Sequence, residues 1–403
     1  MPRTHVPLPV SEIELSLAPF GSSRMLPRAA YVDPAVFAWE KRHLFEGGWQ
    51  CVGRSSLVPE AGSQAALPLG GRSVLLTRDA AGHLNAFENI CRHRGHELLA
   101  CGATARRNTV VCPYHAWGYA LDGRLVAARS MDKMANARKD DLGLTRLGVA
   151  EWGGWMFVNG SGSAAPFAAT LGHLGEFSVN WECERLVVGA SHHYELNANW
   201  KVAIENYNEC YHCPSIHKAL CRVSPPTSGG SYRHPAGAYT GGWMELAADA
   251  ETMSFSGESG GVQFSRLTAE QRRQIHYVTL FPGLLISLHP DYVMTHRLEP
   301  TSATTTAVEC QWLFAPEAVA KEGFDPSYAV EFWDATNRED WGAVESVQRG
   351  LASENFVPGI FSEEEIGVHD FVHMVATSYL GDPELPHRLS TGIATPARRA
   401  AAR

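Results

Sequence analysis

The 403-residue chain has no stretch approaching the roughly 18 consecutive apolar residues that a membrane-spanning helix needs. Its opening segment, MPRTHVPLPVSEIELSLAPF, carries no continuous apolar run behind Arg3, so no secretory leader is read there and a cytoplasmic protein is expected. Basic residues are also in short supply: 34 Lys and Arg stand against 43 Asp and Glu, a formal net charge of −9. A nucleic-acid binder needs a dominant basic face, and this balance argues against one. Neither internal repeats nor the composition of a disordered chain are present. With 45% hydrophobic and 19% charged residues, the sequence can build two domains with a core each. Nine cysteines, an odd number clustered partly beside histidines, point to metal ligation in a reducing compartment more than to a disulfide frame. Cys51, Cys101, Cys183, Cys221 and Cys310 lack such neighbours and read as buried small hydrophobes.

From Trp49 to about Asn159 the sequence alternates short β-type runs (WQCVGRSSLV, SVLLTR, LNAFEN, WMFVN) with turn signals. Among these, Asp122-Gly123 within LDGRL predicts a type I′ hairpin. This part is expected to be a small all-β domain. GSGSAAP at 160–166 reads as a linker. Beyond it come a strand in RLVVGASHHYEL and a helix in NWKVAIENYNECYH, with Asn199 as N-cap and an apolar face of Trp200, Val202, Ala203, Ile204 and Tyr207. Further strands are predicted in HYVTLFPGLLISLH, YVMTHRLEP and TTTAVECQWLFAP. Helices follow at about 326–349 and 362–380, the second behind a Ser362-x-x-Glu365 capping box. The pattern predicts an α+β domain, a mostly antiparallel sheet covered by helices. Residues 222–266, rich in Gly, Ser and Thr, read as a long loop or lid.

Two clusters carry the chemistry. In CRHRGHELLA and VVCPYHAWGYALDGRL, Cys91-x-His93 and Cys112-x2-His115 place one thiolate and one imidazole on each of two hairpin-tip loops. Such loops can close on two sulfide-bridged irons, Cys91 and Cys112 on one and His93 and His115 on the other; imidazole ligation raises the potential to about −150 to +300 mV. A structural Cys2His2 zinc site uses the same ligand types. The tight Cys-x-His spacing and the aromatic, Gly-containing CPYHAWGY speak for the cluster. His96 lies off the spacing and reads as a surface or outer histidine.

The second cluster is ENYNECYHCPSIH, residues 205–217. His212-x4-His217 is one residue longer than a metalloprotease HExxH and encloses no glutamate. Five residues carry an ideal helix about 140° past a full turn, so the imidazoles would diverge unless the helix ended. Pro214 disfavours helix at Cys213 and predicts a turn that lets His217 swing back. Two histidines and a carboxylate on one face of iron(II) leave positions for O2 and substrate. Asp340 and Asp334 in FWDATNREDWGAVESVQRGL are the candidate acids, about 240° apart on an amphipathic helix that Phe332, Trp333, Trp341 and Val344 would pin to the core. Glu209, three residues before His212, is expected on the same helical face. Cys210 and Cys213 read as packing residues, because an open iron site prefers oxygen and imidazole. Asn206 and Tyr207 are candidates for the surroundings of the metal.

CRHRGHELL with CPYHAWGYALDGRL resembles the cluster motif of Rieske non-haem iron oxygenases, in their α (catalytic) subunits, and the resemblance spans roughly residues 30–380. It implies an N-terminal segment, 1–47, packed on the catalytic domain; an all-β Rieske domain, 48–160; a helix-grip-like catalytic domain, 161–385; and a flexible tail, 386–403. It implies a [2Fe-2S] cluster on Cys91, His93, Cys112 and His115, and mononuclear Fe(II) on His212, His217 and Asp340. Asp340 is preferred because NREDWGAVESVQRGL resembles the family's C-terminal signature. Glu209 matches the acid that links the iron histidine, here His212, to a cluster histidine of a neighbouring subunit, matched by His115. Most of the family has aspartate there; glutamate within ECYHC, with FWDATNREDW, resembles the branch acting on quaternary ammonium compounds such as glycine betaine, carnitine and stachydrine.

The implied system takes electrons from NAD(P)H through a separate flavin/ferredoxin-type reductase, uses O2, assembles as a homotrimer and N-demethylates its substrate. Mono- or dihydroxylation of an aromatic ring is the alternative within the same chemistry. A non-catalytic electron carrier, or a zinc-stapled binding protein, would leave His212, His217 and Asp340 unexplained. A quaternary ammonium head needs an aromatic cage, for which Tyr239, Trp243, Phe264, Tyr277 and Phe281 are candidates. Arg222, Arg233, Arg266 and Arg297 are candidates to meet a carboxylate tail. Arg92, Arg94, Arg106 and Arg107 could steer an acidic reductase.

Overall fold

A computed structural model describes residues 5–131, 138–162, 165–232 and 237–381. Arg233 and the 386–403 tail lie outside these described residues. Short strands, rich in Val, Leu and aromatics, fill the chain up to residue 160: β1 Gln50–Arg54, β2 Ser63–Leu69, β3 Arg72–Arg78, β4 Leu84–Glu88, β5 Thr104–Arg106, β6 Thr109–Val111, β7 Gly118–Ala120, β8 Leu125–Ala127, β9 Gly148–Trp152 and β10 Trp155–Asn159. They form antiparallel sheets in the orders β4-β3-β2-β5, β1-β10-β9 and β6-β7-β8. One core, with Val52, Leu67, Leu76, Met156 and Val158, lies between sheets; a second, with Leu75, Phe87, Trp117 and Tyr119, surrounds Cys91 and Cys112.

The β7–β8 hairpin forms where expected but with a different turn. Only Gly123 is left-handed (φ 89°), whereas type I′ needs Asp122 to be so as well. Gly123 N–H bonds to Ala120 O at 2.9 Å and Ala120 N–H to Arg124 O at 2.8 Å, a type I turn followed by a left-handed glycine. Asp122 uses its carboxylate to accept the Arg124 N–H at 3.1 Å. A side chain at Gly123 would also strike the Phe87 ring, its Cβ falling 2.4 Å from a ring carbon.

Beyond residue 180, β11 Val187–Leu196, β12 Gly230–Ser231, β13 Tyr239–Glu245, β14 Gln274–Leu280, β15 Leu284–Leu288, β16 Tyr292–Ser302 and β17 Thr305–Phe314 make one seven-stranded antiparallel sheet, in the order β11-β17-β16-β15-β14-β13-β12. The register aligns Tyr277 with Ser287 and Met294, and Leu285 with His296 and Cys310. With a side-chain period of two, Tyr277, Ser287, Met294, Leu285 and His296 share one face. The 25-residue helix Ser327–Leu351 lies over that face, its Asn337 touching both His296 and Cys310. The fold is therefore an all-β domain followed by an antiparallel sheet covered by helices.

Three local expectations are corrected. The helix N-capped by Asn199 runs Trp200–Tyr207 and stops before Glu209, so Glu209 and His212 share no helix. The 222–266 stretch is not one loop: β12 and β13 lie within it, because Tyr239 to Glu245 can pair residue for residue with β14. The last helix begins at Ile366, after the Ser362–Glu365 turn; Glu365 accepts the Ser362 N–H at 2.7 Å, but the Ser362 hydroxyl serves Glu364 N–H rather than residue 365.

Residues ahead of β1 pack on the helices beneath the sheet. The helix Val10–Ser16 lies against Ile366–Leu380. Glu40 is fully buried and accepts Lys201 Nζ at 2.6 Å and Trp200 Nε1 at 3.0 Å, with the Tyr379 hydroxyl as a third donor. Alongside, the Tyr31 hydroxyl donates to Glu205 at 2.6 Å. Burial, opposed by Tyr31 and Lys201, pushes the Glu205 carboxyl up to about 7. No helix among the described residues is long and apolar enough to cross a membrane.

Candidate metal centres and substrate cavity

The first cluster sits on two loops of matched construction. An Ile90–Glu97 bridge closes the loop Cys91–His96, and the β6–β7 pair Val111–Gly118 closes Cys112–Trp117. In each, the cysteine N–H bonds to the carbonyl five residues on (His96, Trp117) and its carbonyl accepts the N–H four residues on (Gly95, Ala116). Gly95 (φ 73°) and Ala116 (φ 55°) occupy the same left-handed position. Ala116 is one of few non-glycine residues to do so, a strained conformation of the kind retained where a site demands it. Cys91 and Cys112 are buried and in contact with each other, and Tyr119 Oη lies 3.2 Å from Cys91 Sγ. His93 and His115 stand at the surface, ring centroids 4.8 Å apart, with His93 stacked on Trp117. Paired inner thiols below paired outer imidazoles suit a two-iron cluster with unlike ends. His96 points away, its Nδ1 against the Glu97 carbonyl.

The second cluster converges. His212 Nε2 lies 3.2 Å from His217 Nε2, and Asp340 Oδ1 lies 2.9 Å from His217 Nε2 and 3.3 Å from His212 Nε2. The structural device differs from the expected one. Pro214 does not end a helix: it occupies the first turn of a one-turn helix, Cys213–Ile216, where its missing N–H costs nothing. His212 and His217 cap the two ends of that turn, and both rings swing to the same side. Asp340 reaches them from the middle of Ser327–Leu351. Asp334 is held elsewhere by Tyr194 (2.7 Å), His192 and Arg338.

Carboxylates hold the far side of each imidazole. Glu209 Oε1 lies 2.5 Å from His212 Nδ1, and its Oε2 accepts the His212 N–H at 3.1 Å and the Tyr211 N–H. Glu339 Oε2 lies 2.8 Å from His217 Nδ1. With both Nδ1 protons engaged, the Nε2 lone pairs face one another and Asp340. The three atoms converge on one point, where protons sit in the metal-free protein; two imidazoles and a carboxylate with their far sides held are a donor set that fits a single metal ion in their place. Burial lowers the His212 pKa, yet hydrogen bonds to Asp340 and Glu209 outweigh it and hold the metal-free imidazole at about 9.

Cys210 and Cys213 are corrected from separate packing residues to a disulfide, Cα–Cα 4.9 Å. The turn that folds Glu209 back onto His212 also brings the two sulfurs together. Glu339 went unnoticed in the sequence because it abuts Asp340 and reads as ordinary helix charge.

The triad lies in the wall of a cavity of about 760 Å³, lined also by Asn206, Glu209, Trp243 and Tyr277. Tyr239 and Phe264 do not line it, both being buried in the main core; nor does Phe281, which is half-buried and packs against that core on Trp200. Tyr207, Tyr211, Trp333 and Trp341 line it instead. Trp333 and Trp341 were expected only to anchor their helix; their spacing around Asp340 was the available signal. The charged side chains in the described lining, histidines aside, are the carboxylates Glu209, Asp340, Glu363 and Glu364. Arg222 bonds to the Phe255 carbonyl, Arg266 faces Glu182 and Arg297 pairs with Glu309 at 3.0 Å. Three polar atoms of the lining, Tyr277 Oη, Trp341 Nε1 and His296 Nδ1, are shielded from solvent and have no partner. Burial pushes the His296 pKa down to about 4, so the ring is neutral.

The arrangement of two iron-suited centres, one in an all-β domain and one under a helix-covered sheet, defines a class. Residues 48–139 match the Rieske [2Fe-2S] domain, and residues 183–381 match the ring hydroxylating alpha subunit (catalytic domain). The chain belongs to the Rieske non-haem iron oxygenase family, as an oxygenase α subunit. It is 30% identical to the glycine betaine monooxygenase oxygenase subunit of Chromohalobacter salexigens, over 90% of this chain and 87% of that one. It is also 30% identical to the carnitine monooxygenase oxygenase subunit of Escherichia coli, over 82% and 85%. The crystal structure of a quaternary ammonium Rieske monooxygenase superposes with a TM-score of 0.77 at 26% identity, over 93% of this chain and all of that one. The protein is accordingly an oxidoreductase whose cofactors are a Rieske [2Fe-2S] cluster and non-haem iron, with O2 as co-substrate and NAD(P)H electrons arriving through a reductase.

Proposed function

We propose that this oxygenase hydroxylates a small quaternary ammonium compound at a C–H bond beside nitrogen, releasing an N-methyl group as formaldehyde. His212, His217 and Asp340 would hold the catalytic iron, and Cys91, His93, Cys112 and His115 the cluster. When bound, the iron supplies open coordination positions for reductive use of O2, and the cluster supplies electrons. The chain's own residues do the rest. Glu209 and Glu339, each facing an imidazole Nδ1, fix both tautomers so that the Nε2 atoms face Asp340. Trp243, Trp333 and Trp341 offer aromatic faces to a trimethylammonium head, and the cavity's carboxylates favour a cation over an anion. The overall reaction balances with one oxygen atom entering the C–H bond and the other leaving as water, using two electrons and two protons; the resulting N-hydroxymethyl ammonium separates into formaldehyde, a tertiary amine and a proton.

The observation that carries this reading is the triad in the wall of a cavity lined by indoles and carboxylates. The relatives' named substrates support it. Residues 48–160 would act as the electron-receiving domain and 161–385 as the catalytic one, with 1–47 packed on the latter. In a homotrimer the exposed His115 of a neighbouring subunit would be the second partner of Glu209. The exposed Arg92, Arg94 and Arg107 remain candidates for the reductase face; Arg106 is paired with Glu60 at 2.7 Å. A cytoplasmic location fits a reductase fed by nicotinamide nucleotides. The test is formaldehyde release by the reductase-coupled holoenzyme from trimethylammonium compounds against simple aromatic acids. Consumption of the aromatic acids alone would contradict the reading.

A further inference from the structure

The Cys210–Cys213 disulfide has no part in the proposed oxygenation, yet it borders the metal triad. Both cysteines belong to the lining of the cavity, and none of the seven free cysteines does. Cys213 directly follows the ligand His212, and its Sγ lies 3.9 Å from His212 Nε2, the nitrogen that faces His217 and Asp340. Cys210 directly follows Glu209, whose carboxylate holds the other side of the same ring. One covalent bond thus spans the turn 209–213, which carries both a ligand and its support.

The state of that bond sets which donors the site offers. A metal binds a thiolate, not a sulfur already bonded to another sulfur. With the disulfide intact, two imidazoles and a carboxylate define the site, a set that suits iron(II) and leaves positions open. Reduction returns a soft donor beside His212, and a fourth protein donor of that kind completes the closed tetrahedral set that zinc prefers. The bond is also reachable: Cys213 is buried and Cys210 only half-buried, so a dithiol entering the cavity meets Cys210 first. Its thiolate attacks Cys210 Sγ, and Cys213 departs as a thiolate that takes up a proton. The second thiol then displaces Cys210 from the mixed disulfide, so that two protein thiols form as the reductant closes to its own disulfide. In the reducing compartment that a cytoplasmic location implies, disulfides are ordinarily transient and catalytic or redox-sensing.

We propose that Cys210–Cys213 is a redox gate on the metal-binding triad. As a disulfide it keeps sulfur out of the coordination and the site selective for iron. As a dithiol it adds Cys213 to His212, His217 and Asp340 and turns the preference towards zinc. The proposal rests on reading those three residues as the metal site.

The experiment uses the full chain with its Rieske cluster in place, the triad emptied by chelation, and cobalt(II) as the probe under argon. Protein as isolated is compared with protein treated with dithiothreitol and then freed of it, and cobalt content and the absorption difference on adding cobalt are read. The isolated protein is expected to bind cobalt without a sulfur-to-cobalt charge-transfer band. The reduced protein, with two more thiols, should gain that band and should hold zinc more firmly against competing iron(II). Cys213→Ser should lack the band in either state, whereas Cys210→Ser, which leaves Cys213 free, should show it without reductant. A merely structural disulfide would change the stability of the fold and leave the cobalt spectrum unmoved. No band after reduction, a band that persists in Cys213→Ser, or the pair found as thiols at the outset overturns the gate and leaves the triad standing. Cobalt bound at the triad in neither state overturns both.

Discussion

Glu209 and Glu339 are the residues on which the iron site turns without being ligands themselves. Each accepts an imidazole N–H, so removing the charge while keeping the shape should leave the fold intact and disturb only what lies beyond the imidazole. Glu339→Gln is expected to weaken iron binding by about 10- to 100-fold, the range usual for partners of metal-bound histidines, as read by iron content after graded chelation. Glu209→Gln should leave both metal centres loaded yet slow turnover severely; unchanged turnover would rule out its proposed link to the neighbouring cluster. In the sequence, His212, His217 and Asp340 were legible from ligand type and from resemblance to the family signature. Glu339 was not, because one carboxylate beside another on a helix carries no local sign of which one turns inward. The cage residues were equally hidden. Tyr239 and Trp243, four residues apart on β13, read as sharing a sheet face, and only the structure shows that Trp243 meets the cavity while Tyr239 is buried in the core.

At the scale of elements, the turn 208–217 and the N-terminal segment decide how the site is held. The sequence predicted a proline-ended helix, whereas Pro214 starts one; proline's meaning depends on where the preceding helix stops, and Asn208 ends that helix too early for sequence periodicity to reveal. The same turn closes the Cys210–Cys213 disulfide. Thiol titration of the unfolded, cluster-free protein should therefore find seven thiols before reduction and nine after, since seven of the nine cysteines are free; nine at the outset would contradict the pairing.

Beneath the turn, Glu205 titrates near 7 in the fold against an ordinary value of 4.5. Across that window the native state keeps a proton that the unfolded chain has released, so stability falls as pH rises from 4.5 to 7, by about 3 kcal/mol in total. Glu205→Gln should remove this slope, seen as a smaller drop in Tm between pH 5 and pH 7.5 than in the parent protein. The neighbouring Lys201–Glu40 pair is wholly buried, and Lys201→Met, which leaves Glu40 uncompensated, should cost about 3–5 kcal/mol in denaturant unfolding.

For the whole molecule, the all-β part and the antiparallel sheet under helices were both readable from strand spacing and from the two late amphipathic helices. The assignment of β12 and β13 was not, because Gly-rich strands lack alternation and are defined by the partner they pair with. What the assembled fold adds is the joining of distant chain segments: residues 212, 217 and 340 meet at one point, over a cavity whose walls come from β12 to β16 and the helices that cover them. The central claim is that this point holds a catalytic iron separate from the Rieske cluster. Iron per chain in the purified holoenzyme and in Asp340→Ala, read alongside the cluster's visible absorption and EPR spectrum, tests it most directly. The account predicts about three irons in the parent and about two in the variant, with an unchanged cluster spectrum. Three irons retained in the variant, or loss of the cluster signal together with the iron, would contradict it.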